Sequence, residues 1–172
     1  VSDDSVYVRR DDRCLRIDAR TGKLIAEFTA PKTIQRDDGI WGYIAYEDGL
    51  LFGSLSDPDH VVTYRYQPGG NMKDQLTESK TFFARDAMTG ELKWRYDARH
   101  SLRHNGIAIA AGIVILIDRP VATVDLRRTG PRDQEKHETG KLVALDSAIG
   151  KILWENDKDI YGTVSAISAK HR

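Results

Sequence analysis

A pattern of fifteen residues occurs three times along the chain and limits what it can fold into. In each copy an apolar run leads to an aspartate, a glycine follows four positions later, and an aromatic residue ends the segment beyond it. The aspartates are Asp18, Asp86 and Asp146, the glycines are Gly22, Gly90 and Gly150, and the aromatic residues are Phe28, Trp94 and Trp154. The glycine supplies a positive φ, and the aspartate accepts hydrogen bonds from the N–H groups of the turn. We therefore predict three strand–turn–strand hairpins of one design.

The aromatic residue at the end of each copy favours a role in packing. A large aromatic ring at a fixed place in every repeat is typical of a side chain that packs between stacked sheets. We therefore expect Trp94 and Trp154 to be buried. Consecutive apolar residues before Asp146 indicate a strand that is buried on both faces. Because Asp146 and Lys151 recur as parts of a turn, we interpret them as structural and not as a site.

The spacing of the copies predicts the architecture. They are 68 and 60 residues apart, more than the roughly 40–50 residues of one four-stranded propeller blade. Between copies lie two further strand-like runs, joined by tight turns at Asp48-Gly49 and Ala111-Gly112. We predict an all-β fold, a β-propeller of four-stranded antiparallel blades forming a partial ring of about three blades. The predicted bounds are part of a blade over 1–28, blades over 43–96 and 107–155, and the start of another over 163–168.

A partial ring has consequences for assembly. A radial propeller needs roughly 4–8 blades to protect its edges. We therefore expect the sequence to be a piece of a longer protein, or to associate with other chains. An arc of three blades leaves apolar faces in water, which predicts self-association.

The connections divide by length between the two sides of the predicted disc. In an up-and-down blade the first and third turns lie on one side, and the second turn and the link to the next blade lie on the other. Every turn on the first side is short. The long connections belong to the second, and they are 29–42, 56–79, 96–106, 119–139 and 156–162. Long loops on a rigid scaffold are where binding residues concentrate, so we predict the functional face there. The alternative is that tolerated insertions accumulate on this side.

The composition argues against several classes of function. Lysine plus arginine and aspartate plus glutamate number 26 each, so no net charge favours nucleic acid. No apolar run is long enough to span a bilayer. Cys14 is the single cysteine, which excludes an internal disulfide, and its place in a strand pattern favours a buried, inert thiol.

A small basic cluster lies on the predicted functional face. It comprises Arg99, His100, Arg103 and His104, and it could contact an anionic group. The spacing of the two histidines suits a metal only on a helix, and no helix signal or third ligand is near, so we predict no metal site and no catalytic residue. The run 57–60 offers oxygen and nitrogen ligands, but it lacks the glycine and the spaced acids of a calcium loop and is a weak signal. The run 135–138 is interpreted as a solvated, charged loop.

The repeated pattern resembles the PQQ-like repeat of quinoprotein-type β-propellers. Ala84 and Ala144 stand two positions before the aspartate, and a Thr-Gly pair closes two of the three turns. The departures are Ile149 in place of threonine and Phe28 in place of tryptophan. The superfamily includes PQQ-dependent dehydrogenases and outer-membrane assembly lipoproteins of the BamB type. The resemblance thus implies a bacterial protein of the periplasm or cell envelope.

Two functions are compatible with this resemblance. The leading hypothesis is a non-enzymatic propeller scaffold without a cofactor, which binds a protein partner, an envelope component or the remaining blades through its long-loop face. The alternative is a segment of a PQQ- and calcium-dependent oxidoreductase whose site is completed by other blades. The best-known dehydrogenases of this kind place a vicinal cysteine pair against the cofactor, and this chain has one cysteine, which favours the scaffold.

Overall fold

The computed structural model describes residues 4–10, 12–32, 40–56, 78–119, 140–160 and 165–168. Within these ranges the chain forms strands and one 3-10 turn, His104–Gly106, and no α-helix. The strands are β1 (Ser5–Arg10), β2 (Arg13–Asp18), β3 (Leu24–Thr29), β4 (Ile40–Glu47), β5 (Leu50–Ser56), β6 (Glu78–Asp86), β7 (Leu92–Arg103), β8 (Ala108–Ala110), β9 (Ile113–Asp118), β10 (Gly140–Asp146) and β11 (Ile152–Ile160).

The strands pair antiparallel in three successive units. The first unit is the sheet β1-β2-β3, the second is β4-β5-β6-β7, and the third is β8-β9-β10-β11. One backbone pairing, between Leu102 and Asp118, joins the second and third units into a continuous sheet path. This arrangement confirms the prediction of an all-β fold built from antiparallel propeller units.

Several connections are shorter than the sequence predicts. The segment 96–106 is strand as far as Arg103, β4 begins at Ile40, and β11 runs to Ile160. For β7 the reason is a side chain: the Asp118 carboxylate accepts hydrogen bonds from the backbone N–H groups of Arg99, His100 and Ser101 at 2.7, 2.8 and 3.1 Å. The Asp118 carboxylate of β9 thus accepts hydrogen bonds that the carbonyl groups of a neighbouring strand would otherwise accept.

The described part of the predicted fourth unit is not a strand. Residues 165–168 have no strand assignment. The Ser165 N–H donates to the Asn105 carbonyl at 3.1 Å, and the Ser165 hydroxyl donates to the Gly106 carbonyl at 2.8 Å. The hydrogen bonds of this residue therefore go to the turn between β7 and β8 and not to a strand partner.

Two cores hold the units together. The core between the first and second units is formed by Cys14, Phe28, Trp41, Leu51, Leu55, Phe83 and Ala87. The core between the second and third units is formed by Phe52, Phe82, Ala84, Trp94, Leu102, Ile107, Val114, Leu116, Val143 and Leu145. Side chains of neighbouring residues on β6 pack in different cores, because successive side chains of a strand point to opposite faces of the sheet. The Cys14 thiol is fully buried, as the sequence predicts, and burial raises its pKa to about 12.

The three aspartate–glycine turns have the predicted geometry. In the second copy the Asp86 Oδ1 accepts from the N–H groups of Met88 and Thr89 at 3.0 and 2.8 Å, and the Gly90 N–H donates to the Asp86 carbonyl at 2.8 Å. Gly22, Gly90 and Gly150 have φ of +70°, +76° and +68°. In the third copy the Ile149 N–H still donates to Asp146 at 3.1 Å, so the turn does not need a threonine.

The aromatic residues do not all behave as predicted. Trp94 is 8% exposed and Phe28 is 7% exposed, and both lie in cores. Trp154, in contrast, is 45% exposed. No described glycine has the Trp154 ring among its nearest neighbours. The expectation of a buried ring is thus wrong for Trp154, because no further repeat packs against it in the described residues.

Backbone hydrogen bonds and the antiparallel strand order place the three aspartate–glycine turns and the turns at Gly49 and Gly112 at one edge of the units. Ala19 N–H donates to the Asp4 carbonyl at 2.9 Å, Ala87 N–H to the Gly49 carbonyl at 2.9 Å, and Ser147 N–H to the Gly112 carbonyl at 3.0 Å. We call this edge the turn face and the opposite edge the loop face. The connections 57–77 and 120–139, and the links between units, leave from the loop face.

Candidate functional site

A cluster of buried and half-buried polar side chains lies where the strands of the second and third units end at the loop face. The antiparallel order brings the end of β5, the start of β6, the end of β7 and the end of β9 to the same edge. The members of this loop-face cluster are Ser54, Ser56, Glu78, Ser79, Ser101, Arg103, His104 and Asp118. Buried polar groups are costly unless they are hydrogen-bonded, so their partners decide what the cluster can do.

His104 lies against two serine hydroxyls. Its Nε2 is 2.8 Å from Ser79 Oγ and 3.3 Å from Ser54 Oγ. The Ser79 hydroxyl donates to Ser54 Oγ at 2.7 Å, and the Tyr43 N–H donates to the same oxygen at 2.8 Å. The position before Tyr43 must be glycine, because a Cβ on Gly42 would collide with Ser56 Oγ and lie 2.7 Å from His104 Cε1.

The environment of His104 keeps its imidazole neutral. The pKa of His104 is lowered to about 4, chiefly by burial and secondly by the positive charge of Arg9, while the negative charge of Glu78 acts in the opposite direction. A neutral imidazole beside a hydroxyl is the contact that activates a nucleophile in many hydrolases. Here Ser54 and Ser79 are fully buried, so a substrate cannot reach either hydroxyl. The histidine instead ties β5 and β6 to the turn that follows β7.

A second part of the loop-face cluster is an ion pair between Arg103 and Glu78. The Arg103 Nε lies 3.3 Å from the Glu78 Oε1, with side-chain exposures of 11% and 2%. The Ser101 hydroxyl donates to the other Glu78 oxygen at 3.1 Å. A buried carboxylate is tolerated when it is paired and hydrogen-bonded in this way. Since the Asp118 carboxylate is held by three backbone N–H groups, both buried acids serve the fold.

The basic residues singled out from the sequence do not form one exposed surface. Arg99 is exposed and His100 is half-buried, and their backbone N–H groups are fixed by Asp118. Arg103 and His104 belong to the loop-face cluster. The polar runs 57–60 and 135–138 lie outside the described residues.

Sequence reasoning missed the residues that pair with the basic cluster. Glu78, Ser79 and Asp118 were not predicted to matter. The sequence does contain one indication that Asp118 has a structural role, because this residue ends the apolar run of β9. A charged residue at the end of a buried strand requires a partner, and the basic cluster precedes it by 14 to 19 residues.

Metal binding and membrane spanning find no support in the part of the chain that the structure describes. No group of three or more histidine, cysteine, aspartate or glutamate side chains in those ranges could hold a metal ion. Likewise, the described ranges contain no helix of the length and apolar character that crossing a membrane requires.

Comparison with solved structures identifies the fold. A europium-containing methanol dehydrogenase aligns with 90% of this chain and 23% of its own, at a TM-score of 0.53 and 14% identity. Quinohemoprotein alcohol dehydrogenase from Comamonas testosteroni aligns with 90% of this chain and 26% of its own, at 0.53 and 15% identity. BamB from Moraxella catarrhalis covers 94% of this chain and 37% of its own, at 0.49 and 15% identity.

The similarity is one of structure. No protein-family model and no curated protein matches the chain. The chain spans about a quarter of the length of the two dehydrogenases. At these identities the comparison establishes the fold and leaves activity to other arguments. Together with the repeated hairpins and the packing between units, it shows that this chain has the PQQ-like β-propeller fold.

Proposed function

We propose that the chain is part of a non-enzymatic propeller scaffold of the bacterial periplasm or cell envelope, which binds a protein or envelope component through its loop face. The observation that supports this most is the contrast between the two faces. The three aspartate–glycine turns of the turn face are closed by their own hydrogen bonds, as at Asp86 and Gly90. The connections 57–77 and 120–139 leave the loop face. A rigid platform with long connections on one side suits binding.

The chemistry of the loop-face cluster supports the same function. Its charged side chains are paired, and its serine hydroxyls are bonded to each other and to His104. The serine hydroxyls beside His104 are buried, so a substrate cannot come within hydrogen-bond reach of them. The cluster therefore stiffens the platform from which the long connections emerge.

Arg99 offers a contact for a partner. Its side chain is exposed, and its backbone N–H is fixed by the Asp118 carboxylate at 2.7 Å. A guanidinium on a rigid strand pairs well with a carboxylate, because little backbone freedom is lost on binding. We therefore expect the partner to present an acidic group here.

A second candidate is a segment of a PQQ- and calcium-dependent oxidoreductase. The fold shared with the methanol and alcohol dehydrogenases favours it. The described residues do not by themselves fit a calcium site. Glu78 is paired with Arg103, Asp118 is held by backbone N–H groups, and no group of three ligating side chains occurs in the described ranges.

Site-specific photo-crosslinking tests the scaffold. A crosslinking amino acid at Asn105, which is exposed on the loop face, should capture one discrete partner in the cell envelope. The matched control is Met88, which is 61% exposed on the turn face and should give no adduct. An adduct at Met88 and none at Asn105 would contradict the proposal. Saturable binding of PQQ with calcium, accompanied by dye reduction, would replace the scaffold with the oxidoreductase.

A further inference from the structure

The turn between β7 and β8 contains an asparagine that is followed directly by a glycine. Asn105 is exposed and Gly106 is buried, and both belong to the 3-10 turn that links the second and third units. In such a pair the backbone nitrogen of the glycine can attack the side-chain amide carbon of the asparagine. Glycine has no Cβ to hinder this approach, and asparagine is among the thermolabile residue types. The turn therefore holds both reacting groups of a deamidation.

Packing explains why a glycine occupies the second position. A Cβ on Gly106 would lie 3.2 Å from the Ile117 Cβ and 3.3 Å from the Ile117 Cδ1, so a larger residue would press on β9. The φ of Gly106 is not positive, so the backbone conformation alone does not require glycine there. The contact with β9 thus favours the residue that makes Asn105 reactive.

Ser165 restrains the peptide group in which the reaction would occur. Its N–H donates to the Asn105 carbonyl at 3.1 Å, and its hydroxyl donates to the Gly106 carbonyl at 2.8 Å. Ring closure needs a rotation about the Cα–C bond of Asn105, away from the ψ of a 3-10 turn. That rotation carries the Asn105 carbonyl away from the Ser165 N–H. The turn must therefore open locally before the reaction, and Ser165 resists the opening.

We propose that Asn105 is a site of spontaneous deamidation and that the hydrogen bonds of Ser165 set its rate. The Gly106 nitrogen bonds to the Asn105 Cγ, and the side-chain amide group leaves as ammonia, taking the proton of the Gly106 N–H. Water then opens the resulting succinimide ring. Addition of water at one ring carbonyl yields aspartate, and addition at the other yields isoaspartate, in which the backbone runs through the former side chain. Water is the only co-reactant.

The product alters the loop face in two ways. Either form places a carboxylate where a neutral amide stood, at an exposed position. Isoaspartate also lengthens the backbone of the turn by a methylene group, so the two carbonyls can no longer both keep their hydrogen bonds to Ser165. The change begins one residue after His104, whose Nε2 contacts Ser79 Oγ in the loop-face cluster. This reaction does not depend on the proposed binding function.

Incubation of the full 172-residue chain at mildly alkaline pH tests the proposal. Peptide mapping by mass spectrometry separates the asparagine, aspartate and isoaspartate forms, and a synthetic peptide of residues 102–108 gives the unrestrained rate. We expect the folded chain to convert at Asn105 more slowly than the peptide, while Asn156 stays intact. Asn156 is the matched control because it is also exposed, but an aspartate follows it and its side-chain oxygen accepts from the Lys158 N–H at 2.9 Å.

Substitution of Ser165 tests the restraint. Ser165→Ala removes the hydroxyl hydrogen bond and should accelerate conversion at Asn105 about three- to tenfold, the factor that one hydrogen bond is worth. Ser168→Ala, at an exposed serine of the same segment, is the matched control and should leave the rate unchanged. Asn105→Gln should abolish the products, because its longer side chain must close a larger ring. Circular dichroism verifies that each variant folds.

Three results would overturn the proposal. The first is that the folded chain shows no more conversion at Asn105 than at Asn156 once the peptide has fully converted. The second is that the folded chain converts as fast as the peptide, since Ser165 would then restrain nothing. The third is that Ser165→Ala converts no faster than wild type or than Ser168→Ala.

Discussion

The ionisation of His104 is coupled to folding in the acid range. Burial lowers its pKa to about 4 in the folded chain, whereas an unfolded histidine titrates near 6.5. Between these values the unfolded chain binds a proton that the folded chain does not. The stability that His104 contributes is therefore present above about pH 6.5 and is lost as the pH falls towards 4.

Substitution of His104 should remove this pH dependence. In urea unfolding, the wild-type chain should lose about 3 kcal/mol more than His104→Gln between pH 7.5 and pH 4. Glutamine retains a polar group that can reach Ser79 Oγ, so the variant should fold at pH 7.5. Carboxylates titrate in both proteins, and the difference between the two profiles isolates the histidine. Identical profiles would show that the pKa of His104 is not lowered in the folded chain.

At the scale of elements, the repeat made most of the strands predictable. Apolar runs and turn residues lie close together in sequence, so the hairpins around Asp18, Asp86 and Asp146 could be derived locally. The second half of β7 could not. Residues 96–103 show no strand alternation, and their backbone is held by Asp118, which lies far along the chain. The loop-face cluster could not be predicted for the same reason. Its residues come from distant parts of the sequence and contact one another only in the folded sheet.

Asp118 should therefore control the second half of β7. In Asp118→Ala, three backbone N–H groups lose their acceptor, and we expect a loss of about 2–4 kcal/mol in the free energy of unfolding. Hydrogen exchange at Arg99, His100 and Ser101 should accelerate. The matched control is Asp97→Ala on the same strand, since Asp97 accepts from the Thr81 hydroxyl at 2.8 Å and holds no β7 amide in the described structure. Unchanged exchange at the three amides of Asp118→Ala would contradict this role.

At the scale of the whole molecule, the two cores raise the question of whether the units unfold together. Repeat proteins gain stability from each unit and from each interface between neighbours, so an interface can open by itself. Cys14 reports on the first interface, because its thiol is fully buried there and its pKa is raised to about 12. It reacts only when that interface opens.

Phe82 and Phe83 distinguish local from global opening. They are adjacent on β6, both fully buried, and Phe83 lies in the core with Cys14 while Phe82 lies in the other core. Either change to alanine should cost about 3–5 kcal/mol. If the interfaces open separately, Phe83→Ala should accelerate modification of Cys14 by a thiol reagent on the order of a hundredfold, and Phe82→Ala by less than about tenfold. Equal acceleration would mean that loss of either core unfolds all three units at once, and the described arc would then be one cooperative body.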